Sequence, residues 1–137
     1  MPNDVRIVAR PPVTHEYQRL RRAVGWPELD DATVVSGLRN TLYSLCLLKE
    51  EEVIGCARVI GDGAIYFYIQ DVIVLPEFQG CGFGGRLMDA VMAFLNHHAR
   101  HNSFIGLMAA KEVKLFYEKY GFTERPADRP GMFLMWP

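Results

Sequence analysis

The segment Gln70–Met88, QDVIVLPEFQGCGFGGRLM, constrains the fold of this chain more than any other. An apolar, β-branched run stops at Pro76, a residue that cannot donate to a β-ladder. Glycines follow at 80, 82, 84 and 85, and helical periodicity opens at Phe83 and is expected to run to Ala99. Residues without Cβ accept positive φ and let a ligand approach the main chain closely. The first N–H groups of the helix have no intrahelical acceptor and sit at the positive end of its dipole, so strand, glycine loop and helix together form a site for a phosphate-bearing ligand.

Three glycine-loop patterns compete for this segment. Gly80-Cys81-Gly82-Phe83-Gly84-Gly85 satisfies the G-x-G-x-x-G spacing of dinucleotide sites,. That fold also needs a carboxylate for the ribose about twenty residues on, and the next expected strand, Ser103–Ala109, ends without one,. No Gly-Lys-Ser/Thr follows the glycines, which removes the P-loop,. The remaining pattern is Gln/Arg-x-x-Gly-x-Gly, met by Gln79-Gly80-Cys81-Gly82-Phe83-Gly84, and it resembles the acyl-CoA loop of the GNAT superfamily of N-acyltransferases. A second segment, Leu115-Phe116-Tyr117-Glu118-Lys119-Tyr120-Gly121-Phe122, is similar to that family's closing helix. The resemblance covers roughly Leu42 to Phe122.

The resemblance implies an α/β fold with a central mixed, mostly antiparallel sheet flanked by helices and a β-α-β acyl-CoA-binding core. The order of elements read from the residues agrees. Val5–Ala9 is an expected strand stopped by Pro11-Pro12. A helix is expected from Thr14 as N-cap, with Tyr17, Leu20 and Val24 on one face, and a second from Asp30 or Asp31 to Arg39,. Thr41–Lys49 and Glu52–Ile60 form an expected hairpin across Glu50-Glu51, and Ala64–Val74 a long interior strand,. Lys111–Tyr120 is the last expected helix and Met132–Trp136 a final strand.

Composition bounds the remaining possibilities. The 137 residues are read as a single domain spanning 1–137, with half the residues apolar and a net charge of −1,. That balance gives no footing for nucleic acid, no apolar run is long enough for a membrane, and residues 1–12 lack a signal-peptide pattern,. A cytoplasmic protein is expected, in keeping with three spaced cysteines, Cys46, Cys56 and Cys81,. His15, His97, His98 and His101 show no H-x-x-x-H spacing, so no metal is expected, and His97 and His98 read as partners of a helix C-terminus,.

The resemblance further implies site residues. Val72, Ile73 and Val74 would offer backbone bonds to the acetyl-pantetheine arm of acetyl-CoA, while Gln79, Gly80, Cys81, Gly82, Phe83, Gly84 and Gly85 would hold its diphosphate, with Phe116 also against the cofactor. Tyr117 matches the position that protonates the departing thiolate, and a phenol with an ordinary pKa of about 10 keeps its proton at neutral pH,. The base is open among Tyr68, Gln70, Asp71 and a water chain. Strict alternation would put Tyr68, Gln70 and Val72 on one face of the strand and Asp71 with Ile73 on the other,. Asp71 is the only carboxylate in that apolar strand, hence either paired or functionally tuned,.

The expected activity is transfer of an acetyl group from acetyl-CoA to a primary amine of a small molecule, by direct attack in a ternary complex. Val59–Phe83 and Pro130–Phe133 are also similar to plastid-type serotonin N-acetyltransferases, although Gln70 and Ala110 depart from them and Ala109-Ala110-Lys111 replaces a common Asn or Asp of the wider family. A non-catalytic acyl-CoA sensor and a protein or peptide N-acetyltransferase are the alternatives. A homodimer is a further possibility, with Trp136 a candidate contact.

Overall fold

The computed structural model describes residues 4–137. These form two compact units, the first running to Leu107 and the second from Met108 to Pro137.

The first unit is built on a five-stranded sheet in the order β1-β2-β3-β4-β5. Its strands are β1 (Val5–Val8), β2 (Tyr43–Lys49), β3 (Glu52–Gly61), β4 (Tyr66–Val74) and β5 (Phe104–Gly106). All neighbours are antiparallel except β4 and β5. The hairpin between β2 and β3 turns at Glu50, whose φ is 55°. The helices of this unit are α1 (Thr14–Ala23), α2 (Asp31–Arg39) and α3 (Phe83–His98). α3 is the β4-to-β5 crossover, as a parallel pair requires.

The two faces of the sheet carry different helices. Tyr43 stacks on Phe94 of α3 with ring centroids 4.4 Å apart, so the β2 face that holds Tyr43 and Leu45 lies on α3. α3 meets the core through Phe83, Leu87, Met88, Val91 and Leu95, a helical stripe, and each such burial is worth about 1.5–3 kcal/mol,. Tyr17 of α1 packs with Val34 and Leu38 of α2 in a separate buried cluster. The first helix is capped differently from expectation. Val13, not Thr14, holds the N-cap position, and it has no side-chain acceptor to offer. Its own N–H instead donates to Glu16 Oε1 at 2.9 Å, which is half of a capping box,. Asp30 caps α2, accepting from Thr33 N–H at 3.0 Å.

In the second unit the expected helix is shorter. α4 spans Lys114–Glu118, because Glu112 takes a left-handed φ of 68° that breaks helical continuity before it. Its end is a Schellman motif. Phe122 N–H reaches Tyr117 O at 3.4 Å, Gly121 N–H reaches Glu118 O at 3.0 Å, and Gly121 has φ 94°,. The Tyr117 and Phe122 rings lie 6.3 Å apart, the apolar contact that accompanies such endings. The expected strand over Met132–Trp136 is absent. Those residues carry no regular structure and are 71–88% exposed, since apolar and aromatic composition cannot make a strand without a ladder partner,. β5 is likewise shorter than Ser103–Ala109, because its pairing with β4 ends at Tyr68 and Gly106.

Candidate active site

The glycine loop adopts the geometry its residues predict. Gly80 and Gly82 have φ of 81° and 85°, and a Cβ built on either would meet nothing within 4 Å, so the space before the loop is open. Gly82 is the N-cap of α3, and the first ladder bond is Arg86 N–H to Gly82 O at 3.2 Å. The N–H groups of Phe83 and Gly84 precede that bond. No acidic side chain occupies the first turn to neutralise the dipole there,. Gln79 Nε2 donates to Val74 O at 2.9 Å, tying the loop back to the end of β4. Cys81 is exposed, whereas Cys46 and Cys56 are buried free thiols. Burial pushes the Cys46 thiol up to about 11 and raises Cys56 well above its ordinary value, which makes both inert packing groups,.

β4 runs into this loop with no strand paired to one edge among the described residues. It pairs with β5 only over Tyr66–Tyr68 yet continues to Val74. Among the described residues, Ile69–Val74 therefore present a strand edge without a partner on the β5 side. An extended amide-bearing chain could pair with such an edge as a further strand does.

Strict alternation fails in the middle of β4. Gln70 is opposite Arg58 and Ile73 is opposite Cys56, so two residues of β4, Asp71 and Val72, face one of β3, Ala57,. This bulge is made by Asp71, with φ 58°. Tyr68 and Gln70 share a face as expected, but Val72 does not join them. Asp71 and Ile73 do, because the extra residue shifts every later side chain to the other face.

The carboxylate of Asp71 explains how the bulge is held. Oδ2 accepts Tyr17 OH at 2.6 Å and Arg58 Nε at 2.8 Å, and Oδ1 accepts Gln70 Nε2 at 3.2 Å. Cys56 Sγ donates to the Asp71 carbonyl at 3.2 Å. Arg58 then reaches past Asp71, its Nη1 donating to Gly37 O at 3.2 Å and Thr41 Oγ1 at 2.8 Å, which fastens the end of α2 to β3. Burial, followed by the Asp71 charge and hydrogen bond, pushes the Tyr17 phenol up to about 12, so it stays a donor at neutral pH. A left-handed non-glycine residue costs roughly 1–2 kcal/mol. Each hydrogen bond to a charged group returns about 1.5–3 kcal/mol, so the network outweighs the strain.

Sequence reasoning singled out Asp71, Gln70 and Tyr68 but missed Arg58 and Tyr17. The signal was present: Arg58 is the only charged residue inside the apolar run Val53–Ile60, in the strand next to the one that carries the lone Asp71. Tyr68 is half-buried, and burial raises its phenol above the ordinary value. In the second unit, burial likewise raises Tyr117, whose ring meets Phe116 edge-on at 5.1 Å. Lys114 forms an ion pair with Glu124 at 2.8 Å, and Arg86 bonds Val5 O at 3.3 Å. His97 and His98 place Nδ1 3.0 and 2.9 Å from the Ala93 and Phe94 carbonyls, in the last turn of α3. Among the described residues, no group of three or more His, Cys, Asp or Glu is arranged to hold a metal ion, and no helix is long and apolar enough to cross a membrane.

Comparison with known proteins decides what this arrangement belongs to. The model of the acetyltransferase (GNAT) domain matches residues 41–124. The chain belongs to the GNAT acetyltransferase family. It is 30% identical over 123 residues to the uncharacterized N-acetyltransferase ycf52 of Pyropia yezoensis, covering 87% of this chain and 70% of that protein. It is 31% identical to the chloroplastic GCN5-related N-acetyltransferase 2 of Arabidopsis thaliana, spanning 87% of this chain but 53% of that one, about half its length. A crystal structure of a probable acetyltransferase from meticillin-resistant Staphylococcus aureus superposes with a TM-score of 0.91 at 29% identity, covering 96% of this chain and 99% of the other. The GNAT chain is thus an acyl-CoA-dependent acetyltransferase with the mixed α/β fold of that family, whose members use acetyl-CoA as co-substrate.

Proposed function

We propose that this GNAT protein acts as one catalytic domain over 1–137 and transfers an acetyl group from acetyl-CoA to the primary amine of a small molecule. The observation that carries the reading is the uncovered edge of β4 leading directly into the open glycine loop at the start of α3. Val72, Ile73 and Val74 pair with the pantetheine amides, Gln79–Gly85 take the diphosphate, and Phe116 packs on the cofactor. The amine nitrogen attacks the thioester carbonyl directly, the C–S bond breaks, and Tyr117 gives its proton to the leaving thiolate. The proton lost by the amine passes to water ordered by Tyr68 and Gln70. Asp71 Oδ2 already accepts two donors, which favours an indirect part for it.

Release of coenzyme A thiol with a panel of amines tests the reading. Turnover with small amines and not with histone or N-terminal peptides supports it. Thiol release only with peptides points to a protein acetyltransferase, and acetyl-CoA binding without turnover to a sensor. Tyr117→Phe should keep acetyl-CoA affinity within a few fold and lower turnover by roughly 10². Unchanged turnover with chemistry rate-limiting would remove Tyr117 from catalysis. No metal enters this scheme.

Two further features fit the reading. Free, buried Cys46 and Cys56 suit a reducing compartment, which we take to be the cytoplasm, although a relative is named chloroplastic,. Exposure of Met132–Trp136 favours a homodimer that covers them,. Light scattering showing only monomer at micromolar concentration would dispose of that dimer.

A further inference from the structure

We propose that Tyr17 and Arg58 are positioning residues for the acetyl-CoA site, acting through the Asp71 bulge rather than on any substrate atom. The inference rests on the proposed cofactor reading. The uncovered edge of β4 begins at Ile69, and the bulge falls inside it at Asp71 and Val72. Residues beyond the bulge present their backbone one position out of step with the residues before it. The direction in which Val72–Val74 offer N–H and C=O groups to the open side therefore depends on Asp71 keeping φ 58°. An aspartate tolerates that region better than most residues but is not confined to it, and here its carboxylate is gripped from two other elements: Tyr17 on α1 at 2.6 Å and Arg58 on β3 at 2.8 Å,.

The same grip explains two features that a packing role leaves over. Asp71 is 3% exposed although it is a carboxylate, and Arg58 is the charged member of a cross-strand row, Ser44, Arg58 and Gln70, whose Ser44 Oγ is buried without a partner. A sheet interior is an expensive place for a charge pair unless the pair fixes a conformation. Arg58 adds a second link, since the guanidinium that holds Asp71 also holds Gly37 O and Thr41 Oγ1 at the end of α2. The bulge and the α1–α2 layer thus share one clamp. If a variant keeps the binding-competent bulge in only a fraction of molecules, the apparent dissociation constant for acetyl-CoA rises by the inverse of that fraction.

The test uses the full chain with acetyl-CoA and three readouts: dissociation constant by calorimetry, steady-state kinetics, and amide hydrogen exchange of Ile69–Val74 without cofactor. Tyr17→Phe and Arg58→Ala should weaken acetyl-CoA binding by roughly tenfold or more and speed exchange across Ile69–Val74. Asp71→Asn removes the charge that Tyr17 and Arg58 grip, so its acetyl-CoA affinity should fall alongside theirs. Leu95→Ala, a buried change near the C-terminal end of α3, should lower the melting temperature and leave the dissociation constant alone. Should Arg58→Ala fail to fold, Tyr17→Phe carries the test. Tyr17→Phe behaving like Leu95→Ala would overturn the proposal, as would a loss of 10² in turnover with unchanged affinity in Asp71→Asn, the mark of a general base. No acetyl-CoA binding by the unsubstituted chain would defeat the proposed function and this inference with it. Binding intact in every variant defeats this inference alone.

Discussion

The glycine loop and the β4 bulge adopt nearly the same left-handed backbone by opposite means. Gly80 and Gly82 sit at φ 81° and 85° because they have no side chain to object,. Asp71 sits at φ 58° because Tyr17 and Arg58, 54 and 13 residues away in sequence, hold its side chain. The first conformation costs its residues no side-chain clash, whatever the rest of the chain does. The second exists only when α1, β3 and β4 are already assembled. A positive φ at glycine is thus legible from sequence, while the same angle at aspartate is a statement about the folded protein.

The largest effect should come from cutting the clamp. Arg58→Ala leaves a buried carboxylate with one donor fewer and no counter-charge, and should cost about 3–5 kcal/mol in urea unfolding. A loss under about 1 kcal/mol would mean the bulge does not need its distant partner, and the contrast with the loop would collapse.

Asp71→Gly separates strain from contacts. It relieves the left-handed penalty of roughly 1–2 kcal/mol but removes hydrogen bonds to a charged group worth about 1.5–3 kcal/mol each. A net destabilisation of at least about 2.5 kcal/mol is expected from the loss of three such bonds,. Stabilisation would show that the side-chain network contributes little and that Asp71 behaves as a misplaced glycine.

Gly82→Ala is the matching change in the loop. Its Cβ would meet nothing within 4 Å, so only the left-handed backbone is penalised, by about 1–2 kcal/mol,. Thermal unfolding should show that loss, and the stabilisation of roughly 2.7 kcal/mol expected with acetyl-CoA at a hundred times its dissociation constant should shrink. An unchanged ligand shift would detach the loop from the cofactor.

The smallest effect concerns the start of α1, the helix that brings Tyr17 to the clamp. Burial tends to raise Glu16, but hydrogen bonds from Arg10 and the Val13 N–H outweigh it and hold its pKa below the ordinary glutamate value. A carboxylate lowered in the folded state stabilises above its unfolded pKa, and that contribution is lost as pH falls through the folded value. Between about pH 5 and pH 3 the wild type should therefore shed slightly more stability than Glu16→Gln, by less than about 1 kcal/mol. Equal acid slopes for the two would show that this seal does not support the Tyr17 side of the clamp.

The sequence by itself determined the glycine loop, the β4–α3–β5 crossover, the hairpin of β2 and β3 and the family, because turn glycines, proline stops and residue periodicity act over a few neighbours,. Its failures in the strands have one cause. The end of β5 and the unformed strand at Met132–Trp136 depend on whether a partner strand lies alongside, which composition does not encode. The face of Val72 and the setting of Asp71 depend on one extra residue in β4, and nothing within Tyr66–Val74 announces it. Only the tertiary structure decided those points, because a bulge at a non-glycine residue is stable when charges from two other elements converge on it, and that convergence has no local sequence signature,.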